Sequence, residues 1–169
     1  MYIDLVLFDM LGRYQEEFAT RQLCLIGKHP LSAQSLSDQR VSGIADYVLG
    51  YEPPIRTVPR SFESFSIIVE AKKDSLGPDL GQIVAYMVAA QQHRLGLRPS
   101  RITNIIYGMI SDGILWRFLR LDGKVLRVSD VVHAISNYGQ RHVYLYIDRI
   151  IRASIESSPH MSPRKPLSN

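Results

Sequence analysis

Three residues stand where their chemistry conflicts with their surroundings. Asp46 interrupts the apolar run Val41-Ser42-Gly43-Ile44-Ala45-Asp46-Tyr47-Val48-Leu49. Glu70 and Lys72 close a second one, Phe65-Ser66-Ile67-Ile68-Val69-Glu70-Ala71-Lys72. Charged side chains are rarely buried unless paired or bound to a metal. Strand side chains alternate, so Glu70 and Lys72 share one face while Val69, Ala71 and Lys73 take the other. Asp46 and Glu70, on separate strands, can converge on one ion. Magnesium is a hard ion that takes oxygen ligands and keeps several waters, so one or two carboxylates and phosphate oxygens suffice. The Ala71 carbonyl is a further candidate ligand. Lys72 beside the ion would orient an attacking water or stabilise negative charge growing at phosphorus. The pattern points to metal-dependent phosphodiester hydrolysis. Glu-x-Lys alone is a common pattern. The competing reading is a Glu70–Lys72 surface pair at a strand end, with Asp46 in a turn.

The segment after Lys72 adds polar groups on a helix. Gln82 and Tyr86 are four residues apart and share a face. His93 lies about 20° off the same line at roughly 100° per residue, and a solvated role suits it better than a functional one. Trp116 and Phe118 share a face at period two and read as core, which turns Arg117 outward. Arg94, Arg117 and Lys73 are the basic residues expected to line a substrate groove.

These groups need elements to hold them. Residues 3–25 place Leu7, Leu11, Tyr14, Phe18 and Leu25 on one helical stripe, with residues 21–26 open to a short strand instead. Residues 29–38 read as a polar loop. Strands follow near 41–50 and 64–72, separated by the proline-rich stretch 52–59. Leu76-Gly77-Pro78-Asp79 opens a helix that runs to about Leu95 and stops at Gly96. Strands at 101–111, 114–121 and 124–128 are divided by Asp112-Gly113 and Asp122-Gly123, a hairpin signature, which predicts a three-stranded meander. A last helix starts at Ser129-Asp130, with Ser129 as N-cap, and extends to about Ile155; Gly139 is a candidate interruption. Residues 157–169 carry three prolines and almost nothing to bury, and read as a disordered tail.

Composition limits the alternatives. A chain of 169 residues suits one domain, here 1–156, with a real core. Net charge of +4 permits a polyanionic partner without demanding one. The single cysteine, Cys24, excludes an intramolecular disulfide and a Cys-based zinc cluster. No apolar run reaches the roughly 18 residues of a membrane span, so no membrane partner is expected. The start Met1-Tyr2-Ile3-Asp4-Leu5 lacks the basic region of a signal peptide, which makes cytoplasm or nucleus the expected compartment. No Walker loop or Gly-x-Ser-x-Gly elbow is present, and the five histidines lack metal-ligand spacings.

The order helix, strand with Asp46, strand with Glu70-Ala71-Lys72, helix with Gln82-x-x-x-Tyr86 resembles the PD-(D/E)XK nuclease superfamily. Gln-x-x-x-Tyr is similar to the element of its RecB and lambda-exonuclease branch. Gly43-Ile44-Ala45-Asp46-Tyr47, Val69-Glu70-Ala71-Lys72-Lys73 and Tyr107-Gly108-Met109-Ile110-Ser111-Asp112-Gly113 resemble uncharacterised fungal nuclease-like proteins. The resemblance covers about residues 40–121. It implies an α/β restriction-endonuclease-like fold, with a central mixed sheet flanked by helices. It implies Mg²⁺, with Mn²⁺ able to substitute, and a nucleic-acid substrate, DNA before RNA. Asp46 and Glu70 would bind the metal, Lys72 would be catalytic, and Gln82 and Tyr86 would support the site or touch substrate. Two features depart from the pattern. Ala45 stands at the motif's proline, and the fold requires a strand before the Asp-bearing one, for which residues 21–26 are the candidate. Relatives often carry a glutamate on the first helix. Glu16 and Glu17 compete for that place, and Glu17, roughly 85° from the centre of the apolar stripe, is the better placed. The rival function is a non-catalytic nucleic-acid-binding or protein-interaction module on the same fold.

Overall fold

The computed structural model describes residues 3–34, 40–53, 62, 64–72, 80–95 and 103–158. Helices α1 (Ile3–Arg13) and α2 (Gln15–Arg21) lead into strands β1 (Leu23–Gln34), β2 (Arg40–Tyr51) and β3 (Ser64–Ala71). Helix α3 (Gly81–Leu95) follows, then β4 (Ile105–Ser111), β5 (Leu115–Asp122), β6 (Val125–Val128), β7 (Val132–His133) and α4 (Asn137–Glu156). The strands form one mixed sheet in the order β1-β2-β3-β4-β5-β6, with β7 also paired to β5. Pairing is antiparallel except between β3 and β4, whose parallel register needs the α3 crossover.

Helices cover both faces of the sheet. On one face Val6, Met10, Phe18, Val143, Ile147 and Ile151 of α1, α2 and α4 pack on Leu49, Ile67, Val69 and Trp116. On the other, Ile83, Tyr86, Met87 and Ala90 of α3 pack on Val48, Ile68, Ile106, Ile110 and Leu119. Lying between these layers, β3 is buried at seven of its eight positions, and only Ala71 is exposed. Such a strand loses the polar alternation of a half-buried one. The Trp116 and Phe118 side chains are buried as the period-two reading expects.

Five sequence expectations need correction. The helical stripe over 3–25 is two helices, followed from Leu23 by the strand left open for residues 21–26. The break at Tyr14 was invisible to periodicity because the backbone keeps near-helical bonding through it: Tyr14 N–H to the Leu11 carbonyl, 3.2 Å, and Phe18 N–H to the Tyr14 carbonyl, 2.9 Å. The stripe therefore continues across two helices, and Gln22, at φ +55°, turns the chain into β1. The loop expected at 29–38 is strand as far as Gln34. Pro30 sits in it without penalty because β1 is an edge strand, where one side of the backbone needs no donor.

The last helix starts at Asn137 rather than at Ser129. The Ser129 hydroxyl accepts the Phe118 N–H at 3.0 Å, and its own N–H bonds the Phe118 carbonyl at 2.9 Å, so it extends the β5 ladder. Ser136 is the true cap, accepting the Gly139 N–H at 3.1 Å. Gly139 does not interrupt the helix. A Cβ there would lie 1.7 Å from the His133 carbonyl oxygen, so only glycine lets α4 start against β7. The hairpins also differ from the expected pattern. Ser111 pairs with Trp116, and the turn takes residues 112–114 before β5 begins at Leu115. Asp112 holds it by accepting the Ile114 and Leu115 N–H groups at 2.8 and 2.7 Å. The second hairpin places Gly123 (φ +57°) and Lys124 between Asp122 and Val125.

The expected helix opening at Leu76-Gly77-Pro78-Asp79, the stop at Gly96, most of the stretch 52–59 and the tail beyond Ser158 lie outside the described residues. Ser158 itself is buried, and its hydroxyl bonds the Arg21 carbonyl at 3.3 Å, so packing persists past the end of α4.

Candidate active site

Strand β3 carries Glu70 to the edge of the α3-covered face. Its backbone pairs with Ile110 of β4, whose side chain belongs to that layer. Glu70 is 5% exposed, and its Oε2 is buried with no hydrogen-bond partner. Lys72 follows at the strand end, where its N–H bonds the Ser111 carbonyl at 2.8 Å. Its Nζ lies 3.7 Å from Glu70 Oε1 and donates to Gln82 Oε1 at 3.0 Å. Gln82 Nε2 donates in turn to the Tyr86 hydroxyl at 3.1 Å. The four-residue spacing on α3 thus makes a polar relay that fixes the lysine.

Asp46 arrives from β2. The two strands pair from Tyr47↔Val69 inward. One step beyond, the Asp46 side chain takes the place of a ladder bond, with Oδ2 accepting the Ala71 N–H at 2.7 Å. Its Oδ1 accepts from Lys28 Nζ. Lys28 stands opposite Asp46 on β1, between the pairs Gly27↔Tyr47 and His29↔Ala45, and has φ +54°. A non-glycine residue in the left-handed region is unusual within a strand. Asp46, Glu70, Ala71, Lys72, Gln82 and Tyr86 are therefore one connected group.

The electrostatics follow from burial. The Glu70 carboxyl is pushed above the usual carboxylate range, first by desolvation and then by the Asp46 charge, against the opposing pull of Lys72 and Lys28. Lys28 is raised by its hydrogen bond to Asp46. Of the two carboxyls, Glu70 keeps a buried oxygen without a partner, while both Asp46 oxygens are engaged, by Lys28 and by the Ala71 N–H.

Other candidates fall elsewhere. Glu17 is exposed on α2, next to the start of β1, and Leu23 there pairs with Tyr51, five residues along β2 from Asp46. Arg94 does not line a groove. It is 3% exposed and donates to the Thr103 and Ile105 carbonyls at 2.5 and 2.9 Å. Lys73 lies outside the described residues. His93 is exposed and packs its ring 5.0 Å from Phe65.

Sequence reasoning missed Lys28, Gly43 and Asp4. Nothing in the local sequence singles out Lys28, and only the β1–β2 register brings it to Asp46. Gly43 makes room for the relay: a Cβ there would lie 2.0 Å from the Tyr86 hydroxyl. Glycine three residues before the aspartate was the available signal. Asp4, on α1, accepts from the Tyr47 hydroxyl, a bond that leads in raising that phenol to about 12. No His, Cys, Asp or Glu cluster of three or more suited to a metal occurs among the described residues. No described helix is long and apolar enough to cross a membrane. No protein-family model matches the chain, and no curated protein matches it.

Proposed function

We propose that this chain hydrolyses phosphodiester bonds in nucleic acid, DNA before RNA, using Mg²⁺ or Mn²⁺. We further propose that its α/β fold is a restriction-endonuclease-like one. The observation that carries the reading is Glu70. A buried carboxylate with an unpartnered oxygen, beside a second acid and a lysine held by its own relay, is costly to maintain for stability alone. The occurrence of strand β1 before the Asp-bearing strand also supports it, because the resemblance required one there.

Asp46 and Glu70 would hold the ion, with the Ala71 carbonyl available at the same strand edge as the N–H that meets Asp46. When bound, a divalent ion polarises a phosphoryl oxygen and lowers the pKa of its water. Lys72 places a positive charge beside Glu70, where negative charge grows at phosphorus. Gln82 accepts from the ammonium and so limits its rotamers, while Tyr86 orients Gln82.

One observation favours the non-catalytic module instead. Both Asp46 oxygens are already engaged, by Lys28 and by the Ala71 N–H. The test compares wild type with Asp46→Ala, Glu70→Ala and Lys72→Ala on single-stranded DNA, duplex DNA and RNA. Cleavage with Mg²⁺ or Mn²⁺ should disappear in EDTA and in both acid variants. Cleavage equal in wild type and all three variants marks a contaminant and leaves the module as the better reading.

A further inference from the structure

Glu70 pairs with Ile110, and Ile110 pairs with Arg117. Residues opposite each other in a sheet point to the same face. Arg117 therefore shares the face of Glu70, two strands away. It is half-buried, and its Nε is buried without a hydrogen-bond partner. Guanidinium donors are seldom left unpaired. At the other end of the row Lys28, with its side chain 76% exposed, stands opposite Asp46. The row reads Lys28, Asp46, Glu70, Ile110, Arg117 across β1 to β5. The acids lie between one cation and another, and four strand spacings span about 19 Å.

We infer that a nucleic-acid strand passes over the end of the sheet beside this row, where Glu70 and Ile110 stand one residue from the ends of β3 and β4, with one backbone phosphate held by Arg117 and another by Lys28, on opposite sides of the acids. This rests on the reading of the site as one for nucleic acid. Arg117 offers a fork that matches phosphate oxygens. Lys28 offers a point charge that already reaches the acids. At about 3.4 Å per nucleotide along one strand, the row covers roughly five or six nucleotides. The polarity of the strand would follow from which cation lies nearer its 5′ side.

The experiment measures binding of labelled single-stranded and duplex DNA, and of RNA, to the full chain in Ca²⁺ between 50 and 200 mM salt. These are roughly the salt limits over which phosphate contacts show themselves. Arg117→Met and Lys28→Met should each weaken binding about tenfold and flatten the salt slope by about 0.7–0.9, the signature of one lost phosphate contact. Lys28→Arg should restore the slope. Arg149→Met, which removes an exposed cation from α4 on the opposite face of the sheet, should leave affinity and slope unchanged. Circular dichroism and Trp116 emission check folding of each variant. Unchanged affinity and slope in Arg117→Met and Lys28→Met overturns the inference, as does an equal effect of Arg149→Met or a wild type that binds no nucleic acid. Cleavage assays in Mg²⁺ separate the two readings. Binding through the two cations without Asp46- and Glu70-dependent cleavage removes the hydrolytic reading and keeps the row. Such cleavage with no effect of the two cations does the reverse.

Discussion

Glu70 sets the energetics of the site. A carboxyl raised by burial and by a neighbouring acid favours its protonated form in the folded state. The folded chain then binds more protons than the unfolded one, so stability falls as pH rises from the unfolded carboxyl value through the folded one. The loss is complete above the folded value. Glu70→Gln, measured in EDTA, should therefore raise Tm at pH 7 by about 2–4 °C, which corresponds to ~1 kcal/mol for a chain of this size. The gain should vanish below about pH 4.5, where both forms are neutral. A Glu70→Gln variant no more stable than wild type at pH 7 would show that Lys72 and Lys28 fully compensate the burial. Lys72 makes a different prediction. Lys72→Ala should lower kcat about 10²–10³-fold, while Ca²⁺ binding followed by calorimetry largely persists. A loss of binding as large as the loss of rate would give Lys72 a place in assembling the ion site instead.

At the scale of elements, β2 and α3 meet where Gly43 leaves space for Tyr86. A Cβ at 43 collides with the phenol oxygen at 2.0 Å and with ring carbons at 2.8 Å, so the ring must swing away. That breaks the bond from Gln82, and Gln82 in turn holds Lys72. Gly43→Ala should lose about 1–3 kcal/mol in urea unfolding, as overpacked sites do. Tyr86→Phe in the same background should recover part of it, because the oxygen is the nearest atom. A double-mutant cycle with additive energies would show that the strand bends rather than the ring moving. The start of α4 is a second such contact. Gly139→Ala meets a carbonyl of the backbone rather than a flexible tip, so the penalty should match or exceed that at Gly43. Ser136→Ala should cost about 1 kcal/mol through the lost cap alone.

The whole molecule is tied across its layers by α4. The Tyr51 hydroxyl donates to the Ser154 carbonyl, and Ser66 bonds Ser154 Oγ at 2.6 Å, joining β2 and β3 to the last helix. Tyr14 donates to Asp148, joining the first helices to the same element. Trp116, the single tryptophan, is fully buried in that layer, whereas far-UV circular dichroism reports helices on both faces. Since β3 is buried between the two layers, neither can open without exposing the other. Fluorescence and dichroism should give coincident urea transitions, as a two-state domain requires. A dichroism transition preceding that of Trp116 would show α3 melting as a separate unit.

Much of this was legible in the chain. The strands at β2 and β3, the α3 helix, and the burial of Trp116 and Phe118 follow from local periodicity. So does the pairing of Gln82 with Tyr86, because four residues make one helical turn. These are properties of a few neighbouring side chains, and the sequence by itself determined them. Four other features answer to partners far along the chain, and tertiary structure decided them. Pro30 belongs to a strand because β1 lies at the sheet edge. Ser129 extends a ladder instead of capping a helix because the Phe118 backbone is within reach. Arg94 is withdrawn from any groove by two carbonyls near the start of β4. Lys28 reaches Asp46, and Arg117 joins the row, through strand register, which is set by the packing of both faces and leaves no mark in the spacing of either residue.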